Sequence, residues 1–318
     1  MLQVAAIYWI TGMAKTGDRW LDGQALAYTL RNDFFGSPLG AWMRQFDGLL
    51  ALMTHMSRHM ELFGPFLLFV PWRNGLFRLA AMALFYGFHV GILLLMSVGF
   101  FSPISMVMWL PLLPGEVWDG LAGLRGRAAA AVGPRLATPR IVEAAALGLA
   151  LFLAASIGFR AFGHLTGRPA PLPGPVVQVA KMLRIRQVWP MFSPNPPPFD
   201  AWPVLRGHLA DGRVVDPFLG GPVVEEQPES VAAYFPSFKW KIHFWWLGHQ
   251  SRDDKEPHIL WSYLADHLCR EWNARHDPHE RMLRIDITLL LELIQLEAKP
   301  NPIDRWRLGD HPCRSPRG

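Results

Sequence analysis

The sequence predicts a mainly α-helical fold, a multi-pass transmembrane helical bundle followed by a small α+β extramembrane domain. Hydrophobic residues make up 51% of the 318 residues and charged residues only 18%, whereas soluble proteins average about 25% charged residues. The 14 tryptophans and 20 phenylalanines suit membrane interfaces, where aromatic side chains collect. Near the C-terminus, alternating apolar and polar residues instead predict strands.

Five apolar segments predict the helices of the bundle. Leu2 to Ala14 is too short to cross a bilayer and resembles the end of a longer helix, so we expect an N-terminally truncated chain. Leu49 to Pro71 is apolar at both ends and polar in its middle. Leu76 to Val98 and Ile141 to Phe159 are the clearest spanning candidates. Gly99 to Leu113 is short and contains two prolines, so we expect a kinked or re-entrant span.

Arginines in two loops predict the orientation of the bundle. Residues 114–140 and the turn 72–78 are both rich in arginine. If the segment 99–113 crosses the bilayer, both loops lie on one face, which the positive-inside rule makes cytoplasmic. The C-terminal domain then lies on the extracytoplasmic side of the cell membrane.

A proline-rich run marks the boundary between the two predicted domains. Every second residue from Pro169 to Pro175 is a proline, which makes a stiff linker. We therefore assign residues 1–165 to the transmembrane domain, 166–176 to the linker and 177–318 to the soluble C-terminal domain.

Three patterns predict the elements of the C-terminal domain. The dipeptide Asp211-Gly212 stands between strand-like runs and predicts a hairpin. Leucines recur at helical spacing between residues 259 and 272, and apolar residues occupy every second position from Ile285 to Leu293. Together these patterns predict a small α+β domain.

Composition and motifs exclude several classes of function. The net charge of +5 is spread along the chain, without the basic stripe that binds nucleic acid, so the lipid bilayer is the expected partner. The sequence has no phosphate-binding glycine loop, no GxSxG motif and no CxxC motif. Cys269 and Cys313 either pair in an oxidising compartment or both stay free.

Lys15 ends the first apolar segment, and two roles are open for it. Its amine can extend to the lipid headgroups, as juxtamembrane lysines do. Alternatively, it lies in a dry pocket, where burial favours a neutral amine that acts as a base. The spacing of the neighbouring residues does not decide between these roles.

A second cluster of ionisable residues lies in the second apolar segment. His55 and His59 are four residues apart and Arg58 and Glu61 are three apart, so each pair shares a helix face. Such residues in a membrane usually face a cavity, which favours a quinone- or proton-handling pocket beside Lys15. Alternatively, the helix lies at the membrane interface, or Arg58 and Glu61 form a structural pair. No carboxylate completes a zinc motif with the histidines, and we predict no metal site.

His89 is a further pocket candidate, alone in an otherwise apolar segment. A single histidine in such a segment often forms a hydrogen bond between helices. The alternative is that His89 lines the same pocket as the second cluster.

Several strings in the chain resemble one superfamily. The first combines an aromatic pair, a glycine, a lysine and a tryptophan, at Tyr8-Trp9, Gly12, Lys15 and Trp20. The others are Glu61-Leu62-Phe63 before Pro65, Gly87-Phe88-His89-Val90-Gly91, residues 186–196, Asp211-Gly212 and residues 234–240. These strings resemble the vitamin K-dependent γ-glutamyl carboxylase superfamily, whose bacterial members are called horizontally transferred transmembrane (HTTM) domain proteins.

The resemblance implies a membrane enzyme of the carboxylase type. In the animal carboxylase, the lysine matched by Lys15 is regarded as the base that deprotonates vitamin K hydroquinone. Reaction with oxygen then yields a base that abstracts a γ-proton from glutamate, and carbon dioxide adds to the carbanion. By resemblance, Lys15 is the catalytic residue, a reduced quinone is the cofactor, and His55, His59 and His89 line the pocket.

Two departures from the family keep a second function open. The helices that precede the lysine motif in the family are absent, and the C-terminal domain is far smaller than the lumenal part of the animal enzyme. We also identify no propeptide-binding surface. The alternative is therefore a non-catalytic envelope membrane protein that binds lipid or a quinone, or that docks a partner protein.

Overall fold

The computed structural model describes residues 1–124, 139–166, 173–182, 191–226, 234–254, 259–296 and 301–314. The chain forms two compact units. The first, the N-terminal unit, combines Met1–Ala27 with Trp42–Pro196, and the second, the C-terminal unit, combines Tyr28–Ala41 with Pro197–Gly318. The predicted linker, residues 166–176, lies largely outside the described residues, so the domain boundary placed there stays a prediction.

Helices dominate the part of the chain before the sheet. Their bounds are α1 Leu2–Ala14, α2 Asp18–Leu21, α3 Ala25–Arg31, α4 Pro38–Met43, α5 Asp47–Phe63, α6 Asn74–Leu95, α7 Phe101–Val107, α8 Gly115–Leu124, α9 Arg140–Thr166 and α10 Gly174–Met182. Short 3-10 turns at Gly64–Phe69 and Leu110–Leu112 follow α5 and α7.

Helix α1 is the centre of the N-terminal unit because it is apolar on all sides. One side packs with Phe85 and Trp109 in one apolar cluster, and the other packs with Ile157 of α9 in a second. A Cβ atom at Gly12 would lie 3.1 Å from the backbone of Leu62. Gly12 thus lets α1 and α5 approach closely, and this approach positions the residues described below.

The predicted multi-pass transmembrane bundle is wrong for the described part of the chain. There, only α6 and the stretch Arg140–Phe159 of α9 are long and apolar enough to cross a membrane, with mean hydropathies of 1.7 and 2.0. The prediction included the segments 49–71 and 99–113 in the bundle despite the polar residues and prolines that interrupt them. The segment 49–71 leaves the α-helical path at Gly64, and α7 has only 7 residues.

The orientation argument loses its premise in the structure. It requires the segment 99–113 to cross the bilayer, but that segment contains only α7 and a short 3-10 turn and is not among the candidate spans. Part of its second loop, residues 125–138, lies outside the described residues. The extracytoplasmic position of the C-terminal unit therefore stays a prediction.

The C-terminal unit contains a four-stranded antiparallel sheet with the strand order β2-β1-β3-β4. The strands are β1 Phe199–Leu209, β2 Val214–Val215, β3 Met282–Leu293 and β4 Ile303–Pro312, and the helices between β2 and β3 are α11 Phe238–Asp254 and α12 Leu260–Arg275. Val204 pairs with Thr288, and Leu289 pairs with Trp306.

The three elements predicted for this unit are confirmed. The Asp211-Gly212 hairpin joins β1 to β2, and Gly212 has a φ of 88°, a backbone conformation that glycine adopts without strain. The predicted helix 259–272 starts one residue before α12. The alternating run lies in β3, where Ile285, Ile287 and Leu289 are fully buried and pack with the apolar face of α12. After Leu289 the predicted alternation of burial is wrong, since Leu290 is buried and Leu293 is 43% exposed.

The segment 28–41 belongs to the C-terminal unit through polar contacts with β1. The Asn32 side chain donates to the carbonyl of Phe199 at 3.0 Å. The backbone N–H groups of Asp33 and Phe34 donate to the Asp200 carboxylate at 2.7 and 3.2 Å. Asp200 is 1% exposed, so it fixes this segment from inside the unit.

Burial raises the pKa of Asp200 to about 7, although the two N–H donors act in the opposite direction. Nearby, burial lowers the pKa of Lys241 to about 8, and the charge of Asp200 acts against that shift. The ammonium of Lys241 lies 4.5 Å from the centre of the Phe34 ring. The unit therefore contains an acid and a base that both titrate near neutral pH.

A disulfide joins Cys269 of α12 to Cys313, which follows β4. The sequence alone left this pairing open. The bond closes a separation of 44 residues and constrains the unfolded chain, which typically stabilises a protein by about 2–4 kcal/mol.

We expect the double variant Cys269→Ala/Cys313→Ala to lose about 2–4 kcal/mol of stability and to unfold at a lower temperature in non-reducing buffer. Thermal unfolding of the full chain, followed by tryptophan fluorescence, measures the change. Reductant should bring the wild type close to the variant and leave the variant unchanged. Equal unfolding temperatures without reductant would contradict a stabilising bond.

We expect Asp200→Asn to change how stability depends on pH. A folded pKa of about 7 exceeds the unfolded value of about 3.9, so the folded state binds the proton more tightly. The stabilisation from Asp200 is complete below about pH 4 and is lost as pH rises through about 7. Relative to the variant, the wild type should therefore lose thermal stability between about pH 4 and pH 8.

The exposed Asp277 provides the matched control for this measurement, because Asp277→Asn replaces the same side chain outside the core. Its unfolding temperature should follow that of the wild type at every pH. If Asp200→Asn also follows the wild type, the pKa of Asp200 is not raised.

Candidate functional site

A buried ion pair between Lys15 and Glu61 lies where α1 ends beside α5. Both residues are 4% exposed, and the Lys15 ammonium donates a hydrogen bond to Glu61 Oε2. Lys15 directly follows the last residue of α1, and Glu61 lies in the last turn of α5. The close approach of the two helices at Gly12 brings the two side chains together.

Two further residues hold the lysine in place. The Lys15 ammonium lies 4.4 Å from the centre of the Trp20 ring, a cation–π distance. Arg58 Nε donates to the backbone carbonyl of Lys15 at 3.0 Å. A cation at this point satisfies a carbonyl that the end of α1 leaves unpaired.

The ion pair has two protonation states of equal net charge. Glu61 lies outside the two candidate spanning helices, and burial raises its pKa while the charge of Lys15 acts against the rise. Desolvation penalises the ammonium–carboxylate form relative to the neutral form with an amine and a carboxylic acid. A proton can therefore move within the pair without a change in charge.

A cavity of about 60 Å³ lies against the pair. Its walls are mainly apolar and come from α1, α5, α6, α7, the residues that flank α6 and α7, and two residues before the sheet. Its lining side chains are Ile7, Tyr8, Thr11, Lys15, Glu61, Phe88, Ile92, Met96, Val98, Phe101, Ser105, Met108, Met191 and Phe192. At about 15 Å³ for each water, the cavity holds about four water molecules.

A second buried polar group lies at Tyr8, two helical turns before Lys15. The Tyr8 hydroxyl is 2.6 Å from His89 Nε2 and accepts a hydrogen bond from Trp109 Nε1 at 3.0 Å. His89 is 1% exposed, and no group in the described residues pairs with its Nδ1. Tyr8 lines the cavity, whereas His89 lies behind it.

The predicted site residues fall into three groups. Lys15 and Glu61 line the cavity. Arg58 and His89 contact residues that belong to it. His55 and His59 do not line the cavity: His59 Nδ1 is 2.7 Å from the carbonyl of His55, and its ring stacks on Phe63.

Helix geometry explains why the two histidines are separated from the pair. At about 100° for each residue, His59 lies about 200° around α5 from Glu61, and His55 lies about 240° from it. The i, i+4 spacing places the two histidines on one face of α5, but this face is not the one that carries Glu61. No group of three or more possible metal ligands occurs in the described ranges.

Sequence reasoning missed Thr11 and Trp109, and it used Tyr8 and Trp20 only as motif letters. One signal could have identified part of this set. Tyr8, Thr11 and Lys15 follow the spacing 0, 3, 7, which places them on one face of α1. The contribution of Trp109 depends on the fold and has no such signal.

The polar groups of the cavity suit the hydroxyl group of a reduced quinone, since an amine or a carboxylate can accept its hydrogen bond. The surrounding apolar wall can contact the ring. The volume is more restrictive. Cavities of about 150 Å³ accommodate one benzene ring, so the 60 Å³ measured here admits a ring only after a wall moves.

Comparison of the chain with protein-family models, curated proteins and solved structures gives no match. The resemblance to the HTTM and γ-glutamyl carboxylase superfamily therefore stays an expectation from the residue strings.

We expect Lys15→Met and Glu61→Leu each to reduce stability by about 3–5 kcal/mol, because each leaves an unpaired buried charge. The double variant Lys15→Met/Glu61→Leu should recover most of the loss, since apolar residues replace both charges. Thermal unfolding of the four proteins forms a double-mutant cycle. Additive losses would show that the two side chains do not interact.

Proposed function

We propose that this protein is a membrane protein whose N-terminal unit binds a hydroxylated aromatic ligand of the reduced-quinone class, with Lys15 as the proton acceptor. The observation that carries the proposal is the buried Lys15–Glu61 pair in the wall of an apolar cavity. Buried ionisable groups in a cleft are typical of sites that transfer protons.

The chemistry of the site follows from the two states of the pair. In the neutral state Lys15 is an amine, and its Nζ accepts a proton from the ligand hydroxyl while Glu61 holds the other proton. Trp20 stabilises the resulting ammonium through its ring. The mainly apolar walls offer few polar partners to water, which limits exchange of the proton with solvent. A reduced quinone, when bound, supplies the electrons for the reaction with oxygen that the resemblance implies.

The exposed surface of α6 and α9 supports a membrane location. Only 22% of the apolar window in α6 and 6% of that in α9 is buried, whereas a core helix of a soluble protein is mostly buried. Leucine and isoleucine side chains with at least two-fifths of their surface exposed lie along both helices: Leu76, Leu84, Leu93, Leu94, Ile141, Leu147, Leu149 and Leu151. Exposure of these apolar side chains to lipid, unlike exposure to water, has no free-energy cost.

The disulfide supports an extracytoplasmic position for the C-terminal unit. Disulfides persist in oxidising compartments and are rare in the cytosol. The Cys269–Cys313 bond therefore favours an extracytoplasmic C-terminal unit independently of the arginine loops.

A second candidate function is a non-catalytic envelope protein that binds lipid or a quinone, or that docks a partner. The observation that favours it is the same ion pair, because a carboxylate hydrogen-bonded to Lys15 stabilises the ammonium and opposes its action as a base.

We expect the purified chain in detergent to bind a reduced naphthoquinone under anaerobic conditions and to accelerate its oxidation when oxygen is admitted. The double variant Lys15→Met/Glu61→Leu should bind at least about tenfold more weakly, because one lost charge-assisted hydrogen bond corresponds to about that factor. Equilibrium dialysis measures binding, and an oxygen electrode measures turnover.

The matched control is Lys239→Ala, which removes an exposed lysine far in sequence from the site and should bind like the wild type. Binding without turnover supports the non-catalytic function. If the wild type does not bind, the ligand class is wrong. If the double variant binds equally well, the Lys15–Glu61 pair is not the binding site.

A further inference from the structure

Residues 191–196, here called the strap, contact residues 17–20 through a series of hydrogen bonds. The backbone N–H of Gly17 donates to Pro194 O at 3.1 Å, and Trp20 Nε1 donates to Phe192 O at 2.7 Å. Asn195 bonds twice, accepting from Arg19 N at 3.2 Å and donating to Asp18 Oδ1 at 2.6 Å. The strap thus sits on the turn that follows Lys15.

The Asn195 side chain packs directly on residue 17, which is a glycine. A Cβ atom at position 17 would lie 2.1 to 2.5 Å from the side-chain atoms of Asn195, closer than any real contact. The strap also contains Phe192 at a φ of 55°, a conformation that bulky residues rarely adopt. Its docked contacts offset this strain.

The strap is also a wall of the Lys15 cavity. Met191 and Phe192 line the cavity, and the hydrogen bond from Trp20 to Phe192 O fixes the ring that lies 4.4 Å from the Lys15 ammonium. The same segment therefore limits the volume of the cavity and positions a side chain beside its charged group.

The other walls are harder to move than the strap. Helices α1 and α6 share an apolar cluster with Tyr8 and Phe85 at its centre. Hydrogen bonds join the strap to residues 17–20, and one of them is between exposed groups, Asn195 and Asp18. Exchange of such bonds for bonds to water has a small net free energy.

We propose that the strap is the movable wall of the Lys15 site, that the Gly17–Asn195 contact is its latch, and that Trp20 is a positioning residue that couples the strap to Lys15. The proposal rests on the proposed function in that a ring-sized ligand needs more room than the docked strap leaves. Undocking the strap opens the cavity, and docking encloses what has entered.

The test measures access to Lys15 in the full chain, with no ligand present. Gly17→Ala places a methyl group against Asn195 and should displace its side chain, which breaks the bonds to Arg19 N and Asp18 and so weakens docking of the strap. Gly48→Ala is the matched control, because a Cβ atom there meets nothing within 4 Å. The rate at which a small amine-reactive reagent modifies Lys15, read by peptide mass spectrometry, should rise at least about fivefold in Gly17→Ala only. The exposed Lys239 serves as the internal reference.

A second variant tests the opposite state. The double variant Gly17→Cys/Asn195→Cys should form a disulfide that locks the strap in place. Lys15 should then be modified more slowly, and reduction of this disulfide should restore the wild-type rate. The wild type with reductant controls for loss of the Cys269–Cys313 bond. Hydrogen exchange of residues 17–21 reports docking independently of Lys15.

Two results would overturn the proposal. One is faster exchange at residues 17–21 in Gly17→Ala with an unchanged Lys15 modification rate. The other is unchanged exchange in both Gly17→Ala and Asn195→Ala, which would show that the contact is not a latch. The test uses an amine-reactive reagent and no quinone, so it is independent of the proposed ligand. If the strap controls access to Lys15 but the protein binds no reduced quinone, this inference stands and the proposed function is wrong.

Discussion

The buried pair of Lys15 and Glu61 is the constraint on which the N-terminal unit depends. Either charge alone would be strongly unfavourable in an apolar interior, so each residue requires the other. The pair also requires α1 and α5 to approach closely, which Gly12 permits. The bare polar atoms at the end of α1 then find a partner in Arg58. One electrostatic requirement thus determines a helix contact, a helix end and the chemistry of a cavity.

The two polar groups of the cavity differ in how they are held. Lys15 lies at a chain turn and is surrounded by side chains from nearby segments, whereas Tyr8 lies inside α1 and is held by His89 and Trp109. The first arrangement can respond to movement of a neighbouring loop, and the second is built into the apolar core. A site with one adjustable and one fixed polar end can enclose a ligand while keeping its orientation.

The sequence predicted local features well and long-range ones poorly. Lys15 and Glu61 were identified because ionisable residues are rare in apolar segments. The β3 strand was predicted from apolar residues at every second position. The bundle was wrong because hydropathy does not register the break at Gly64. Trp109 and the strap could not be predicted, since their roles arise from contacts between residues about one hundred or more positions apart.

The segment 28–41 has a consequence for how this protein can be divided. It lies in sequence within the N-terminal half but packs in the C-terminal unit, against Asp200. A fragment that begins after residue 196 would lack it and would present a carboxylate and the Lys241 side chain to water in place of their native neighbours. Neither unit is therefore a contiguous stretch of the gene, and recombination at a single crossover cannot exchange one without damaging the other.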